Sequence, residues 1–319
     1  MTDKKIVCLG GGIGTVNLAK GLKAYTKQLT IIVSTADDGG SAGRLRRLYD
    51  VPPPGDIVSC MAALSQKDKA FSRLLTYRFP GDRYGKEDSL SGHKLGNLML
   101  VAAWKTTGSI KAGVKLLEAL FQSTGTILPA TTDNVTLSAF TSDGVEVKTE
   151  ENIDLGKYNG QRVLDKVFIH PEDPDVPGDV LTALQEADCI IAGPGDLYTT
   201  ILPVLIIPRI KSIVLSTRVP KLFVVNIANK PFETKGYSVS DFMQAIKTHL
   251  GEFPFQKVII NNNFSVAIPS KFKYTYVKLS EKPGPDAKYE YLASDLVDES
   301  FPLYHDAAKL ASLIQEMLK

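Results

Sequence analysis

The stretch Ile6-Val7-Cys8-Leu9-Gly10-Gly11-Gly12-Ile13-Gly14-Thr15 runs from an apolar segment straight into four glycines. The apolar residues predict a buried strand, and a helix is expected over about residues 16–27. Glycines between a strand and a helix let the backbone approach a phosphate, which the helix N-terminus attracts through unpaired N–H groups and its dipole. We therefore expect phosphate contacts at Gly10, Gly11, Gly12, Gly14 and Thr15, and the alternative is a tight turn without a ligand.

Two named phosphate motifs do not fit this loop. The dinucleotide fingerprint needs Gly or Ala where Thr15 stands, and the P-loop needs a lysine directly after Gly14, where Thr15 again stands. An NAD-dependent dehydrogenase is therefore only the third-ranked hypothesis for the chain.

Apolar runs that alternate with helical segments indicate the fold class. They predict an α/β, Rossmann-like, three-layer doubly wound fold with a mostly parallel sheet. Buried strands are predicted at residues 6–9, 29–34, 189–192, 222–227 and 257–261. Further helices are predicted at about residues 56–65, 68–77, 95–106, 109–122, 180–186, 200–205 and 240–250, with Asp56 and Ser109 as N-caps.

A change of pattern marks an inserted β-hairpin region at about residues 125–175. Polar and apolar residues alternate over 134–141 and 145–149, on either side of Asp143-Gly144, which is typical of a hairpin turn. Because no repeat or low-complexity linker interrupts the chain, we expect residues 1–319 to form a single domain.

Composition excludes several classes of function. The chain has 319 residues, 44% hydrophobic and 23% charged, and a net charge of +2, so nothing favours nucleic acid as a partner. No apolar stretch is long enough to cross a bilayer, and no signal segment precedes the first strand, so we expect a cytoplasmic protein without membrane insertion. Cys8, Cys60 and Cys189 are too far apart for a zinc motif or disulfide framework.

The loop after the second strand carries Asp37-Asp38-Gly39-Gly40-Ser41-Ala42-Gly43-Arg44. Asp37 or Asp38 could bind ribose hydroxyls, or hold Mg²⁺, which prefers one or two carboxylates together with substrate phosphates. Gly40 and Ser41 could donate to phosphate, and Arg44 could bind it bidentately. The alternative is a solvated acidic turn at the start of a helix.

Two further glycine-containing loops are expected at the same edge of the sheet, where ligands of open α/β sheets bind. Residues 91–97 open an apolar helix, and His93 there could bind phosphate, transfer a proton, or be an ordinary surface histidine. Residues 193–199 repeat the strand–loop–helix pattern, and Tyr198 could stack on a base or sugar, or pack on the sheet. The candidates in these loops are His93, Asn97, Gly193, Gly195, Asp196 and Tyr198.

Taken in order, these motifs resemble the YvcK/CofD-like family, and most closely its YvcK branch, the gluconeogenesis factors. The matching segments are residues 10–14, 37–46, 53–56, 91–97, 129–135 and 193–199. The resemblance implies a Rossmann-like fold, a nucleoside diphosphate ligand and a homodimer. The YvcK branch binds UDP-sugars such as UDP-N-acetylglucosamine and affects cell shape and envelope precursor supply on gluconeogenic carbon. The CofD branch transfers 2-phospho-L-lactate to a deazaflavin alcohol with Mg²⁺.

The chain departs from the family pattern in two segments. Residues 227–234 lack the usual Gln and Gly but keep Pro231, Glu233 and Thr234, and a family histidine further on is Phe242. The His305-Asp306 pair is kept, whereas its usual basic predecessor is Tyr304. These changes concern the sugar end of the ligand more than the diphosphate end.

Two hypotheses of function follow: a UDP-sugar-binding regulatory protein, or a Mg²⁺-dependent 2-phospho-L-lactate transferase in which Asp37, Asp38 or His93 is catalytic. A transferase needs an aromatic shelf for its acceptor. The inserted region offers only Phe140 between residues 131 and 157, with Phe232 and Phe242 as partial substitutes. We therefore expect affinity for UDP-sugars without phospholactate transfer.

Overall fold

A seven-stranded, fully parallel sheet forms the centre of the protein, whose computed structural model describes residues 2–86, 88–158, 163–279 and 288–318. The strands within these residues are β1 (Ile6–Gly10), β2 (Leu29–Val33), β3 (Thr126–Pro129), β4 (Thr136–Thr141), β5 (Glu146–Lys148), β6 (Leu164–His170), β7 (Cys189–Ala192), β8 (Lys221–Val224), β9 (Ala228–Asn229), β10 (Lys257–Asn261), β11 (Thr275–Tyr276) and β12 (Glu290–Ser294). The main sheet has the order β12-β10-β8-β7-β1-β2-β3.

The strand order reverses between β1 and β7. Cys8 of β1 pairs with Ile31 of β2 on one side and with Ile191 of β7 on the other. From β1 the chain builds outward to β2 and β3, and from β7 it builds the opposite way to β8, β10 and β12. This is a topological switch point, the position at which open α/β sheets bind their ligands beyond the carboxyl ends of the strands.

Helices cover both faces of the sheet. They are α1 (Gly12–Leu22), α2 (Gly40–Tyr49), α3 (Gly55–Leu64), α4 (Lys69–Thr76), α5 (Leu95–Thr107), α6 (Ile110–Phe121), α7 (Glu150–Asp154), α8 (Gly178–Gln185), α9 (Leu202–Leu205), α10 (Pro208–Ser216), α11 (Val239–Leu250) and α12 (Ala307–Met317), with a π-helical turn at Leu197–Ile201 and a 3₁₀ turn at Ser270–Phe272.

Alternate residues of β1 supply the two cores, because successive strand side chains point to opposite faces. Val7 and Leu9 belong to the core that includes Ile246 of α11, whereas Ile6 and Cys8 belong to the core that includes Leu18 of α1. The three-layer α/β class predicted from the sequence is therefore confirmed. Cys8, Cys60 and Cys189 are buried, free thiols.

The structure changes the boundary of the inserted region. Strand β3, predicted as part of the insertion, is the edge strand of the main sheet and pairs with β2 in parallel. The antiparallel part is a three-stranded sheet of order β5-β4-β6. It contains the predicted hairpin together with residues 164–170, so the prediction that the insertion begins at residue 125 was wrong.

Local capping signals were partly correct. The Ser109 side chain caps α6 by accepting a hydrogen bond from Ala112 N at 3.1 Å, as predicted. Asp56 does not cap α3, because Pro54 occupies that position and Asp56 lies in the first turn. Within the described residues, no single helix is long and apolar enough to cross a membrane. The segments Leu197–Leu205 and Pro208–Ser216 reach that length and apolar composition only when taken together, and they meet at an angle of 78°.

Candidate functional site

A cavity of about 300 Å³ lies beyond the carboxyl ends of the central strands. We call it the edge cavity. Its walls come from the loops after β1, β2, β7 and β8, from α7 of the inserted region and from the segment before α12. Its polar and aromatic lining comprises Ser34, Asp37, Asp56, Arg83, Tyr84, Glu150, Glu151, Asp154, Asp196, Thr199, Thr200, Asn226, Tyr274, Tyr304 and His305.

The first and fourth glycine loops meet at the cavity. A Cβ atom on Gly14 would lie 2.5 Å from the carbonyl oxygen of Pro194, so only glycine permits this approach. The Thr15 hydroxyl joins the loops, since its Oγ1 accepts from Gly11 N at 2.9 Å and donates to Pro194 O at 3.2 Å. Gly12, Gly14 and Gly195 line the cavity, whereas Gly10, Gly11, Thr15 and Gly193 support it from behind. Thr15 is therefore a residue that holds the two loops together.

Two carboxylates from different elements lie against the first glycine loop. Asp37 lies in the loop between β2 and α2 and accepts from Gly39 N at 2.9 Å. Asp56 lies in the first turn of α3 and accepts from the Gly12 N–H. Burial, and then repulsion by Asp56, raise the pKa of Asp37 to about 7. Burial likewise raises the pKa of Asp56. The two groups thus concentrate negative charge at the mouth of the loop.

Asp38 faces a different partner from its neighbour. Its Oδ1 accepts from Glu151 N at 3.0 Å, at the start of the inserted helix α7, and its side chain does not line the edge cavity. Asp38 therefore joins the second loop to the inserted region. Of the two carboxylates expected to bind ribose or Mg²⁺, only Asp37 lines the cavity, and the carboxyl group beside it there is that of Asp56.

Arg44 does not point toward the cavity. It is 1% exposed, and its guanidinium donates to the carbonyl oxygens of Lys86, Ser89 and Ser91, at 2.5 Å for Lys86 and 3.1 Å for Ser89. The prediction that Arg44 binds phosphate does not fit this geometry, because its guanidinium already binds the carbonyl groups of Lys86, Ser89 and Ser91.

The guanidinium that does line the cavity is that of Arg83. A Cβ on Gly40 would lie 2.5 Å from Arg83 Nε, and Gly40 has φ of +49°. Both the close approach and the left-handed backbone therefore favour glycine at this position. The hydroxyl of Ser41, in contrast, accepts from Arg78 Nη1 at 3.2 Å outside the cavity. Sequence reasoning missed Arg83 because it stands in a loop without a recognisable motif.

The third loop lies outside the cavity lining. His93 and Asn97 are 3% and 1% exposed, and neither lines the edge cavity. The role of His93 as a phosphate ligand or proton donor stays a prediction. Lys94, between them, lines a second pocket that shares Asp56 with the first.

Tyr198 is part of the core. It is 2% exposed, and its hydroxyl lies 3.2 Å from Leu164 O and 2.8 Å from the Tyr237 hydroxyl. This burial fits the packing alternative and leaves no face of the ring for a base. The aromatic rings that line the cavity are instead Tyr84, Tyr274 and Tyr304, and Phe140, Phe232 and Phe242 do not line it.

A lysine tied to three carboxylates lies behind the fourth loop. Lys230 Nζ donates to Asp154, to Asp196 Oδ2 at 2.7 Å and to Glu233 Oε1 at 3.0 Å. Burial lowers the pKa of Lys230, but Glu233, Asp196 and Asp154 raise it by more, so the net pKa lies well above its usual range. The carboxylates could otherwise hold a metal ion, and the ammonium group takes that place.

His305 borders the cavity on the side of α12. It is 2% exposed, and burial lowers its pKa to about 3 against an opposing hydrogen bond with the Val225 backbone. Its Nε2 is buried without a hydrogen-bond partner in the described part of the chain. A neutral imidazole nitrogen in this position can serve a polar ligand group.

The chain is similar over nearly its whole length to proteins of one known family. Residues 6–299 match the model of the family described as 2-phospho-L-lactate transferase CofD. The chain belongs to the CofD family. It is 36% identical to the gluconeogenesis factor of Bacillus subtilis over 99% of this chain and 98% of that protein. It is 34% identical to the gluconeogenesis factor of Listeria monocytogenes over 99% of this chain and 96% of that protein.

A solved structure confirms the architecture that places the cavity in this CofD-family chain. The crystal structure of a Bacillus halodurans protein superposes with a TM-score of 0.89 at 32% sequence identity, covering 98% of this chain and 99% of that one. The family suggests a nucleotide conjugate as ligand, and this ligand and the Mg²⁺ expected from the sequence can both be compared with the residues of the cavity.

The charge of the lining decides how such a ligand fits a CofD-family cavity. Within the described residues it carries six carboxyl groups and one guanidinium, that of Arg83, while Lys230 pairs with two of the carboxylates and Lys157 with a third. The loop donors are also engaged: Gly12 N–H donates to Asp56, and Gly195 N donates to Asn226 Oδ1 at 3.0 Å. Asp37 and Asp56 are hard oxygen donors from two different elements, so they fit Mg²⁺. When bound, the ion would neutralise phosphate charge beside them.

Proposed function

We propose that this chain binds a nucleoside diphosphate sugar, such as UDP-N-acetylglucosamine, in the edge cavity and acts as a regulatory gluconeogenesis factor. The observation that carries the proposal is the acidic, tyrosine-lined cavity at the β1/β7 switch point. The names of the Bacillus and Listeria relatives support the regulatory role. Control of cell shape, a homodimer and a cytoplasmic location belong to the same proposal.

Different groups of the cavity lining suit different parts of a nucleoside diphosphate sugar. Carboxylates such as Glu150 and Asp154 accept hydrogen bonds from ribose and sugar hydroxyls, and Arg83 offers charged donors to phosphate. The rings of Tyr84, Tyr274 and Tyr304 offer faces for a base or sugar. Asp37 and Asp56 would hold the Mg²⁺ that a diphosphate requires among so many carboxylates. Each part of the ligand thus has a chemically matched group.

Titration calorimetry with UDP-N-acetylglucosamine, GDP and NAD, each with and without Mg²⁺, tests the proposal. We expect the UDP-sugar to bind most tightly and to need Mg²⁺. D37N should weaken this binding by about 1–3 kcal/mol, the range for losing a hydrogen bond to a charged group.

D38N is the matched control for D37N, because Asp38 serves Glu151 N outside the cavity. It should lower stability and leave the UDP-sugar affinity of the folded protein near the wild-type value. Failure of all three nucleotides to bind would refute the proposal, and equal affinity of D37N and wild type would remove Asp37 from the site.

A second candidate function is phospholactate transfer from a nucleoside diphosphate conjugate to a deazaflavin alcohol. The three cavity tyrosines favour it, because they supply the aromatic surface that the inserted region was expected to lack. We nevertheless expect no transfer by the purified protein in the presence of Mg²⁺. Detection of the phospholactylated deazaflavin, or a preference for GDP over UDP, would favour the transferase.

A further inference from the structure

A second pocket, of about 550 Å³, opens on the α1 side of the sheet. We call it the basic pocket. It lies among helices α1, α3 and α4 and the start of α5, and it shares only Gly12, Ile13 and Asp56 with the edge cavity. Its remaining lining is Val16, Lys20, Ser59, Ala62, Ala63, Lys69, Ser72, Arg73, Thr76 and Lys94. Its volume is in the range of small-molecule sites.

Four cationic side chains surround the basic pocket, and Asp56 is its one carboxylate among the described residues. Lys20 comes from α1, Lys69 and Arg73 from α4, and Lys94 from the residue before α5. In the described part of the chain, no ion pair joins any of the four to a carboxylate within 4 Å. The pocket therefore presents charge that is available to an anion.

Lys94 is the most enclosed of these cations. Its Nζ donates to Ser59 Oγ at 3.0 Å, which directs the ammonium group into the pocket. Burial lowers the pKa of Lys94, and repulsion by Arg78 lowers it further. An anion beside Lys94 would relieve this unfavourable environment, because an opposite charge nearby favours the protonated amine.

The other lining residues indicate an apolar part of the ligand. Ile13, Val16, Ala62 and Ala63 provide aliphatic surface, and the Ile13 side chain is 53% exposed at the ridge between the two pockets. Hydroxyl groups of Ser59, Ser72 and Thr76 add hydrogen-bond donors. The lining thus combines cations, hydroxyls and a hydrophobic wall.

We propose that the basic pocket is a second ligand site, separate from the nucleotide site, for a small phosphate monoester with an apolar body. Four cations suit a ligand with a doubly charged phosphate group better than a ligand with one carboxylate. The hydrophobic wall favours a phosphate that carries an apolar group over inorganic phosphate. The edge cavity carries six carboxyl groups and would need Mg²⁺ to accept a phosphate, whereas the basic pocket offers its own cations, so the two pockets would recognise phosphate in different ways. This inference does not depend on which nucleotide the edge cavity binds.

Calorimetry with phenyl phosphate as the probe tests the site, with inorganic phosphate, phenol and benzoate for comparison. We expect phenyl phosphate to bind most tightly of the four, and to bind also when the edge cavity is saturated with UDP-N-acetylglucosamine. The double variant K69Q/R73Q should weaken phenyl phosphate binding about tenfold, from the loss of two charge-assisted contacts. Both side chains are exposed, so the fold should persist.

K247Q is the matched control, because Lys247 is exposed and lies on α11, the helix that covers the opposite face of the sheet. It should bind phenyl phosphate like the wild type, and both variants should keep wild-type affinity for the UDP-sugar. Equal phenyl phosphate affinity in K69Q/R73Q and wild type, absence of binding at millimolar concentration, tighter binding of benzoate, or loss of binding in D37N alone would each overturn the proposal.

Discussion

The ammonium group of Lys230 lies 3.0 Å from Oε1 of Glu233, a side chain that is completely buried. Glu233 also accepts hydrogen bonds from Tyr198 N at 3.1 Å and from the Thr199 hydroxyl at 2.9 Å. Together with the contacts of Lys230 to Asp154 and Asp196, this cluster joins three separate segments behind the edge cavity. One amine therefore compensates the charge of groups from the inserted region, the π-helical turn and the segment after β9.

Replacing Lys230 should uncover this buried negative charge. We expect K230M to lower the free energy of unfolding by about 3 kcal/mol or more, because breaking a buried ion pair leaves its partner unpaired. Urea denaturation at neutral pH measures the change. Lys235 is exposed nearby in the chain, so K235M is the control and should stay close to wild type. Equal stability of the two variants would show that the cluster contributes little.

A side chain at residue 14 should separate the first and fourth loops. The Cβ of G14A would lie 2.5 Å from Pro194 O, so we expect a loss of about 1–3 kcal/mol in stability from overpacking. UDP-sugar affinity should fall in the same variant. G178A is the control, since Gly178 also begins a helix but has no atom within 4 Å of its Cβ position. It should gain stability from alanine, and the opposite ranking would contradict the predicted collision.

A substitution of Arg44 tests whether this side chain stabilises the fold or binds phosphate. Lysine cannot reproduce the contacts to three carbonyl groups, so R44K should lose about 2 kcal/mol of stability. We expect the folded variant to keep wild-type UDP-sugar affinity. Arg47 lies on the same helix at an exposed position, so R47K is the control for replacing an arginine by lysine. A selective loss of affinity in R44K with intact stability would return Arg44 to the ligand site.

His305 should make stability depend on pH in the acid range. Its folded pKa of about 3 lies below the unfolded value near 6.5, so the unfolded chain binds the proton first. Stability is then complete above about pH 6.5 and falls as the pH drops toward 3. Between pH 7 and about pH 4.5, the wild type should lose about 2 kcal/mol more than H305Q. Parallel unfolding curves for the two proteins would show that His305 titrates normally.

The fold could be predicted where strands are short and have a continuous apolar centre. Cys189–Ala192 and Lys257–Asn261 match their predicted bounds for this reason. Strand β3 was placed in the insertion, because its residues 126–129 stand next to the hairpin in sequence and their pairing with β2 is visible only in space. Strand β12 was not predicted at all, because as an edge strand it is only partly buried and lacks a continuous apolar run.

The site was predictable as a set of loops and not as a set of side-chain directions. Glycine patterns correctly located the loops around Gly14 and Gly195 at the cavity. Arg44 is turned away from the cavity by the carbonyl groups of Lys86, Ser89 and Ser91, which lie more than 40 residues away in sequence, so its direction could not be read from the motif. The same holds for Asp56, whose position beside Asp37 requires α3 to pack against the glycine loop.

Asp56 lines both pockets, so a change of charge in one pocket alters the electrostatic environment of the other. On the side of the basic pocket the charge of Lys94 lowers the pKa of Asp56, and on the side of the edge cavity the charge of Asp56 raises the pKa of Asp37. A ligand that draws Lys94 away would alter how strongly Asp56 attracts a cation. By thermodynamic linkage, that cation must then change the affinity of the first ligand by the same factor. If both proposed sites are occupied, one side chain, that of Asp56, would therefore couple anion binding in the basic pocket to cation binding in the edge cavity.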